Sequence, residues 1–245
     1  MTTISRFFLL IFCFFTLLTA CVSDPKPSQT AQEVLDESAA KVEESIVDDE
    51  PKEQIDTTLE GFFATYENTN RVIWQKPELV IDMMGDLSDK TVADIGAGQG
   101  HFALRLAKKA KNVLAIDIEK RYNEYIDSVK IYELPEQYQE VLQTRLAAPD
   151  NPNIKPEELD IAIIVNTYMY VGDRIDWVKK VREGLKTGGK FIVIDFKRKR
   201  TPVGPKGRFR VPLYMVEEEL LAAGFKNVQS NDAALDYQYI VVAEK

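Results

Sequence analysis

Histidine and cysteine are nearly missing from this 245-residue chain: there is one histidine, His101, and the two cysteines, Cys13 and Cys21, both stand near the start. Beyond residue 21 the chain has no thiolate nucleophile, no cysteine-rich metal site and no intramolecular disulfide, and no metal is expected. Long apolar runs are equally scarce. The apolar run at 7–18, interrupted by Thr16 alone, is too short for a helix across a bilayer core, which takes about 20 residues. A surplus of positive charge is absent too. The formal net charge is -8, which gives no footing for a nucleic-acid binder driven by phosphate attraction.

What is present divides the chain into three expected parts. Arg6 gives residues 1–20 a small positive start, and the apolar run after it suits a secretory signal, whose apolar region spans roughly 7–15 residues. The run closes on Leu18-Thr19-Ala20-Cys21, which resembles the lipobox of bacterial lipoproteins. The resemblance implies cleavage before Cys21, a diacylglycerol on its sulfur, and a periplasm-facing domain on the cell membrane or outer membrane. Two acyl chains would hold it there where one is marginal. Val22 is not the Asp that often retains lipoproteins in the inner membrane, so the resemblance leans to the outer one. Residues 22–60 carry twelve acids against three lysines, with few aromatics and no apolar periodicity. With Cys21 they read as an acidic disordered tether. Residues 61–245 are then close to neutral and make one globular domain.

Within that domain short apolar runs alternate with longer helical stretches, the pattern of an open doubly wound α/β sheet with helices on both faces. The pattern predicts strands over 90–95, 112–117, 140–146, 159–166, 190–196, 225–229 and 237–242. Helices are expected over 77–84, 100–110, 121–132, 173–185 and 216–223. Asp173 is expected to cap the fourth, Gly188-Gly189 to stop it, and Gly224 to close the last.

The most informative segment is Val92-Ala93-Asp94-Ile95-Gly96-Ala97-Gly98-Gln99-Gly100, a buried strand that breaks into a glycine-rich turn and opens a helix. Glycines let a ligand approach the backbone where no Cβ intervenes. Their spacing is G-x-G-x-G, one residue shorter than the dinucleotide fingerprint. Asp94 ahead of the turn repels a pyrophosphate and suits a ligand with an ammonium group. A second acid, Asp117, ends the next strand, where this fold brings a carboxylate beside ribose hydroxyls.

Together these positions resemble motif I and the following acidic position of class I S-adenosylmethionine-dependent methyltransferases. The likeness runs over roughly residues 71–245 and extends to Trp74-Gln75-Lys76-Pro77, Val165-Asn166-Thr167-Tyr168, Ile194-Asp195-Phe196-Lys197 and Pro202-Val203-Gly204-Pro205. It implies a Rossmann-like sheet of seven strands, mostly parallel with the last antiparallel, and S-adenosylmethionine as cofactor. It places Asp94, Gly96, Ala97, Gly98 and Gly100 around the methionine end, Asp117 on the ribose and Ile118 beside the adenine. Leu146 and Ala147 fall at the adenine edge, and Asn166 near the sulfonium.

For the transfer itself, relatives often carry a His pair after the Asn-Thr-Tyr segment, where this chain has Met169 and Tyr170. Tyr168 and Tyr170, two apart at a strand end, and Asp195 are left as polar groups that could orient an acceptor or simply pack. His101 is expected to pack against the cofactor pocket. The cluster Lys197-Arg198-Lys199-Arg200, with Lys206, Arg208 and Arg210, reads either as a solvated loop or as a contact for anionic head groups or an acidic substrate. The acceptor is a small molecule, a lipid or a protein near the membrane, and no nucleic acid is expected. A non-catalytic lipoprotein that keeps the pocket for a nucleoside is the alternative, since an exported domain needs a cofactor made in the cytoplasm. An NAD-dependent oxidoreductase is disfavoured by the glycine spacing and Asp94.

Overall fold

The computed structural model describes residues 71–245. The expected signal, the lipidated Cys21 and the acidic tether lie outside the described residues. In chain order the elements are α1 (Arg71–Gln75), α2 (Pro77–Met83), β1 (Thr91–Ile95), α3 (Ala103–Leu106), β2 (Asn112–Asp117), α4 (Lys120–Glu133), α5 (Glu136–Gln139), β3 (Leu142–Leu146) and β4 (Leu159–Val165). A short 3-10 turn (Tyr168–Tyr170), α6 (Arg174–Gly184), β5 (Leu185–Phe196), a second 3-10 turn (Gly207–Phe209), α7 (Leu213–Ala222), β6 (Lys226–Asn231) and β7 (Gln238–Glu244) follow.

The strands form one sheet in the order β3-β2-β1-β4-β5-β7-β6. The first five are mutually parallel, and β7 is antiparallel to both β5 and β6. This is the doubly wound seven-stranded architecture, with one strand reversed. Period-two alternation in the strands feeds two cores. Val92, Val113, Ala115, Ile161, Ile163, Ile192 and Ile194 face one way and pack with Val80 and Ile81 of α2, Leu106 of α3 and Ile126 of α4. Ala93, Ile95, Leu114, Ile116, Ala162, Ile164, Phe191 and Val193 face the other way, against Trp177, Val178 and Val181 of α6 and Val216 and Leu220 of α7. Both faces of the central strands are apolar because both are covered, which is why β4 reads as an uninterrupted apolar run. Each fully buried Val, Leu or Ile contributes roughly 1.5–3 kcal/mol, so the two layers dominate stability.

Four sequence expectations change. The helix expected over 100–110 is α only at Ala103–Leu106. Around it, bonds to the fourth residue back (Leu104 to Gly100) mix with bonds to the third (Arg105 to Phe102, Lys108 to Arg105), which tightens the turns. Asp173 precedes α6 but makes no side-chain cap; its backbone is left-handed, with φ 42°. Gly188-Gly189 lie inside β5, where pairing to β4 slips between Leu159 and Ile161. A Cβ on Gly189 would meet the Lys186 carbonyl oxygen at 2.8 Å, so the pair relieves a crowded bulge rather than ending a helix. The Tyr168–Tyr170 segment is a helical turn, not a continuation of the strand end.

Candidate functional site

After β1 the chain runs outward through β2 and β3, then returns to place β4 on the other side of β1. That reversal opens a crevice at the carboxyl ends of β1 and β4, the usual ligand position in such sheets. A cavity of about 740 Å³ occupies it. Gly96 and Gly98 line it from the turn after β1, Asp117 and Ile118 from the end of β2, Ala147 from the end of β3, and Thr167 and Tyr170 from beyond β4.

The turn is built against its neighbours. Gly96 has φ 73°, and a Cβ there would lie 2.4 Å from the Thr167 side chain. Gly98 has φ 53° and nothing within 4 Å of the Cβ position, so its bare face opens to the cavity. The amides of the turn are already committed. Gly96 and Ala97 both donate to the Ile116 carbonyl, at 2.8 and 3.1 Å, and Gly100 donates to the Ala97 carbonyl at 2.9 Å. Gly98 N donates to Asp117 Oδ2 at 2.9 Å, while Glu119 N donates to Asp117 Oδ1 at 3.0 Å. A phosphate site needs backbone N–H groups directed at the ligand. Here those four are spent internally, and a carboxylate stands in front of them. Burial pushes the Asp117 carboxyl above its ordinary range, against the pull of the amides of Glu119, Gly98 and Ile118. Each carboxylate oxygen keeps a second lone pair for a hydroxyl donor.

The residues expected around the cofactor do not all reach the cavity. Gly96, Gly98, Asp117, Ile118 and Ala147 do. Asp94 is buried behind the turn, where its carboxyl accepts the Ala103 N–H; burial pushes it to about 7, opposed by that bond and by the nearby Arg71. Ala97 packs into the first core, and Gly100 abuts Ile126 and Leu104. Leu146 is half-exposed at the outer strand and lies off the cavity. Asn166 holds left-handed backbone with φ 57°, and its side-chain oxygen accepts from Gln238 Nε2. Its own Nδ2 is buried with no hydrogen-bond acceptor, and Asn166 itself lies off the cavity lining, next to Thr167, which is on it.

Among the candidate acceptor groups, only Tyr170 lines the cavity. Tyr168 is fully buried and donates its hydroxyl to Glu219 Oε2 at 2.7 Å, where Arg174 holds the same carboxylate from Nε and Nη2. Asp195 is fully buried; it accepts from Phe196 N at 2.7 Å and Met169 N at 3.2 Å, and burial pushes it to about 7. His101 packs edge-on to Phe102, and burial first, then Arg71 and Arg105, lower it to about 3, so it is neutral at physiological pH. Sequence reasoning missed Trp177 and the Pro149–Pro152 turn, which also border the cavity. Trp177 carried only the signal of an apolar α6 position, which the core explains equally well. No group of three or more metal-ligating side chains converges among the described residues.

Comparison with known proteins agrees with this geometry. Residues 93–193 match the family model for a methyltransferase domain. The structure superposes on a SAM-dependent methyltransferase from Aquifex aeolicus with a TM-score of 0.67, covering 75% of this chain and 96% of that one at 18% identity. At that identity the likeness is one of fold, the Rossmann-like sheet that the two structures share. Two curated relatives carry the likeness at sequence level. A wheat phosphoethanolamine N-methyltransferase is 27% identical over 168 residues, 66% of this chain and 32% of its own. The small-subunit ribosomal RNA methyltransferase A of Koribacter versatilis is 42% identical over 41 residues, 17% of this chain and 14% of its own. The methyltransferase fold here thus spans a third or less of the curated relatives it matches.

Proposed function

We propose that the chain is an S-adenosylmethionine-dependent methyltransferase held at a bacterial membrane by a lipid on Cys21, acting on a small-molecule, lipid or protein acceptor. The observation that carries the cofactor is Asp117, set at the cavity and tied to the glycine turn whose amides are already spent. With its amides spent and a carboxylate in front of it, the glycine turn suits a nucleoside better than a pyrophosphate. The methyltransferase-domain match over 93–193 supports the same reading.

Bound there, the cofactor supplies an electrophilic methyl group on a sulfonium. The chain's own residues bind and orient. Asp117 would accept the ribose hydroxyls, Ile118 and Ala147 would flank the base, and the bare face of Gly98 would let the cofactor lie against the backbone. An in-line displacement needs little beyond placement, since holding the reactants in line is worth up to roughly 7–11 kcal/mol. Tyr170 is the polar side chain placed to meet an acceptor. Asp195 and Tyr168 act through the turn that carries it, Asp195 through the Met169 amide.

A cavity with one candidate acceptor group also suits the alternative, a lipoprotein that binds the nucleoside without turning it over. Incubating membranes of a deletion strain with the purified full chain and methyl-tritiated S-adenosylmethionine separates the two. Transfer of label to a lipid, protein or small-molecule fraction supports the enzyme; binding with no transfer supports the alternative. Labelling of cells with palmitate, lost in Cys21→Ser, tests the anchor.

A further inference from the structure

Seven of the fourteen residues 197–210 are lysine or arginine, and none is acidic. The segment leaves β5 at Phe196, on the carboxyl edge of the parallel strands that also holds the cavity. Two of the seven cations hold the segment together. Arg210 is buried and donates from Nε to the Pro205 carbonyl at 2.7 Å, from Nη1 to the Lys197 and Lys199 carbonyls at 2.9 and 2.7 Å, and from Nη2 to the Thr201 hydroxyl at 2.7 Å. Its guanidinium also lies 5.1 Å over the Phe196 ring. Lys197 Nζ donates to the Leu235 carbonyl at 2.8 Å. Gly204 rests on the same ring; a Cβ there would approach it to 2.4 Å. The backbone is therefore wound around one guanidinium and clasped to the end of β5.

What this construction presents outward is charge. Arg198, Lys199, Arg200 and Arg208 are exposed, and Phe209 is 43% exposed with the Arg208 guanidinium 4.8 Å over its ring. Several cations elsewhere on the described surface pair with carboxylates, among them Lys76 with Asp236 and Lys186 with Asp160, while exposed Lys108, Lys111 and Lys226 stand singly. Among the described residues none of these four has such a partner.

We propose that the 197–210 loop is a docking surface for an anionic phospholipid bilayer. Its cations are spread along a loop rather than converging on a pocket, which suits a field of head-group phosphates better than one bound anion. Each basic residue near such a surface adds attraction, and an exposed aromatic ring beside arginine sits well at the head-group level. Docking by this loop turns the carboxyl edge of the sheet, and the cavity in it, toward the lipid. The docking does not rest on methyl transfer; only the consequence that the acceptor is reached from the membrane does.

Hydrogen exchange on the full chain, read by mass spectrometry with no cofactor added, tests the docking separately from catalysis. On vesicles of phosphatidylcholine with phosphatidylglycerol, amides of 198–209 exchange about fivefold more slowly than on phosphatidylcholine alone, and the protection is lost at high salt. The triple variant Arg198→Glu, Lys199→Glu, Arg200→Glu loses it too, while exchange in β1, β4 and β5 is unchanged. Equal exchange on both vesicles, or protection by a short RNA but not by either vesicle, overturns the proposal.

Discussion

Gly96 and Gly98 share left-handed backbone but not surroundings, and single substitutions separate their roles. Gly96→Ala forces a Cβ onto Thr167 as well as into a left-handed backbone, and is expected to cost about 2–4 kcal/mol of stability by urea denaturation. Gly98→Ala meets no atom and costs only about 1–2 kcal/mol, the backbone contribution, but its methyl projects into the cavity and weakens S-adenosylmethionine binding. Asp117→Ala removes the carboxylate from that wall; titration calorimetry is expected to show affinity falling about 10–100-fold, the loss of one or two charged hydrogen bonds. At this scale the sequence was informative about the glycine turn and Asp117, because spacing alone places both at a strand end. It misjudged Asp94. Strand alternation turns residue 94 to the same face as Val92, toward Ala103, and that consequence needed the start of α3, which the sequence pattern set three residues too early.

The 3-10 turn after β4 shows what an element decides that residue spacing does not. Read as a strand end, Tyr168 and Tyr170 share one face; on a helical turn they diverge, Tyr168 into the second core and Tyr170 to the cavity. Tyr168→Phe should therefore cost about 1 kcal/mol of stability, through the bond to Glu219, and leave cofactor affinity unchanged. Tyr170→Ala should change stability and cofactor affinity little and lower transfer of label from methyl-tritiated S-adenosylmethionine to the acceptor. Glu219→Ala strips both Tyr168 and Arg174 of their partner and is expected to cost about 2–3 kcal/mol, less than a fully buried pair because Arg174 is partly exposed. Helices α2, α4, α6 and α7 and strands β1, β2, β4, β5 and β7 could be read from periodicity, since each carries several apolar positions. The bulge at Gly188-Gly189 could not, because its cause is the Lys186 carbonyl and the pairing slip against β4, both tertiary.

Across the whole molecule, buried carboxyls set the response to pH. Asp94 and Asp195 bind their protons more tightly folded, at about 7, than at the ordinary value of 3.8. Between those values the folded state holds more protons than the unfolded one, so this contribution to stability falls as pH rises through the window and is flat above it. Urea midpoints should show Asp195→Asn with a shallower loss between about pH 4 and 7, on the order of one titrating group. Glu158, held below the ordinary carboxylate range by Arg145, acts oppositely and only on the acid side of that range. Asp117 and the committed amides of the glycine turn favour a nucleoside without phosphate in the cavity. The measurement that bears on that preference most directly is calorimetric titration of the full chain with S-adenosylmethionine, S-adenosylhomocysteine and NAD. Micromolar binding of the two sulfur nucleosides and none of NAD is the predicted result; silence toward both, or preference for NAD, would contradict it.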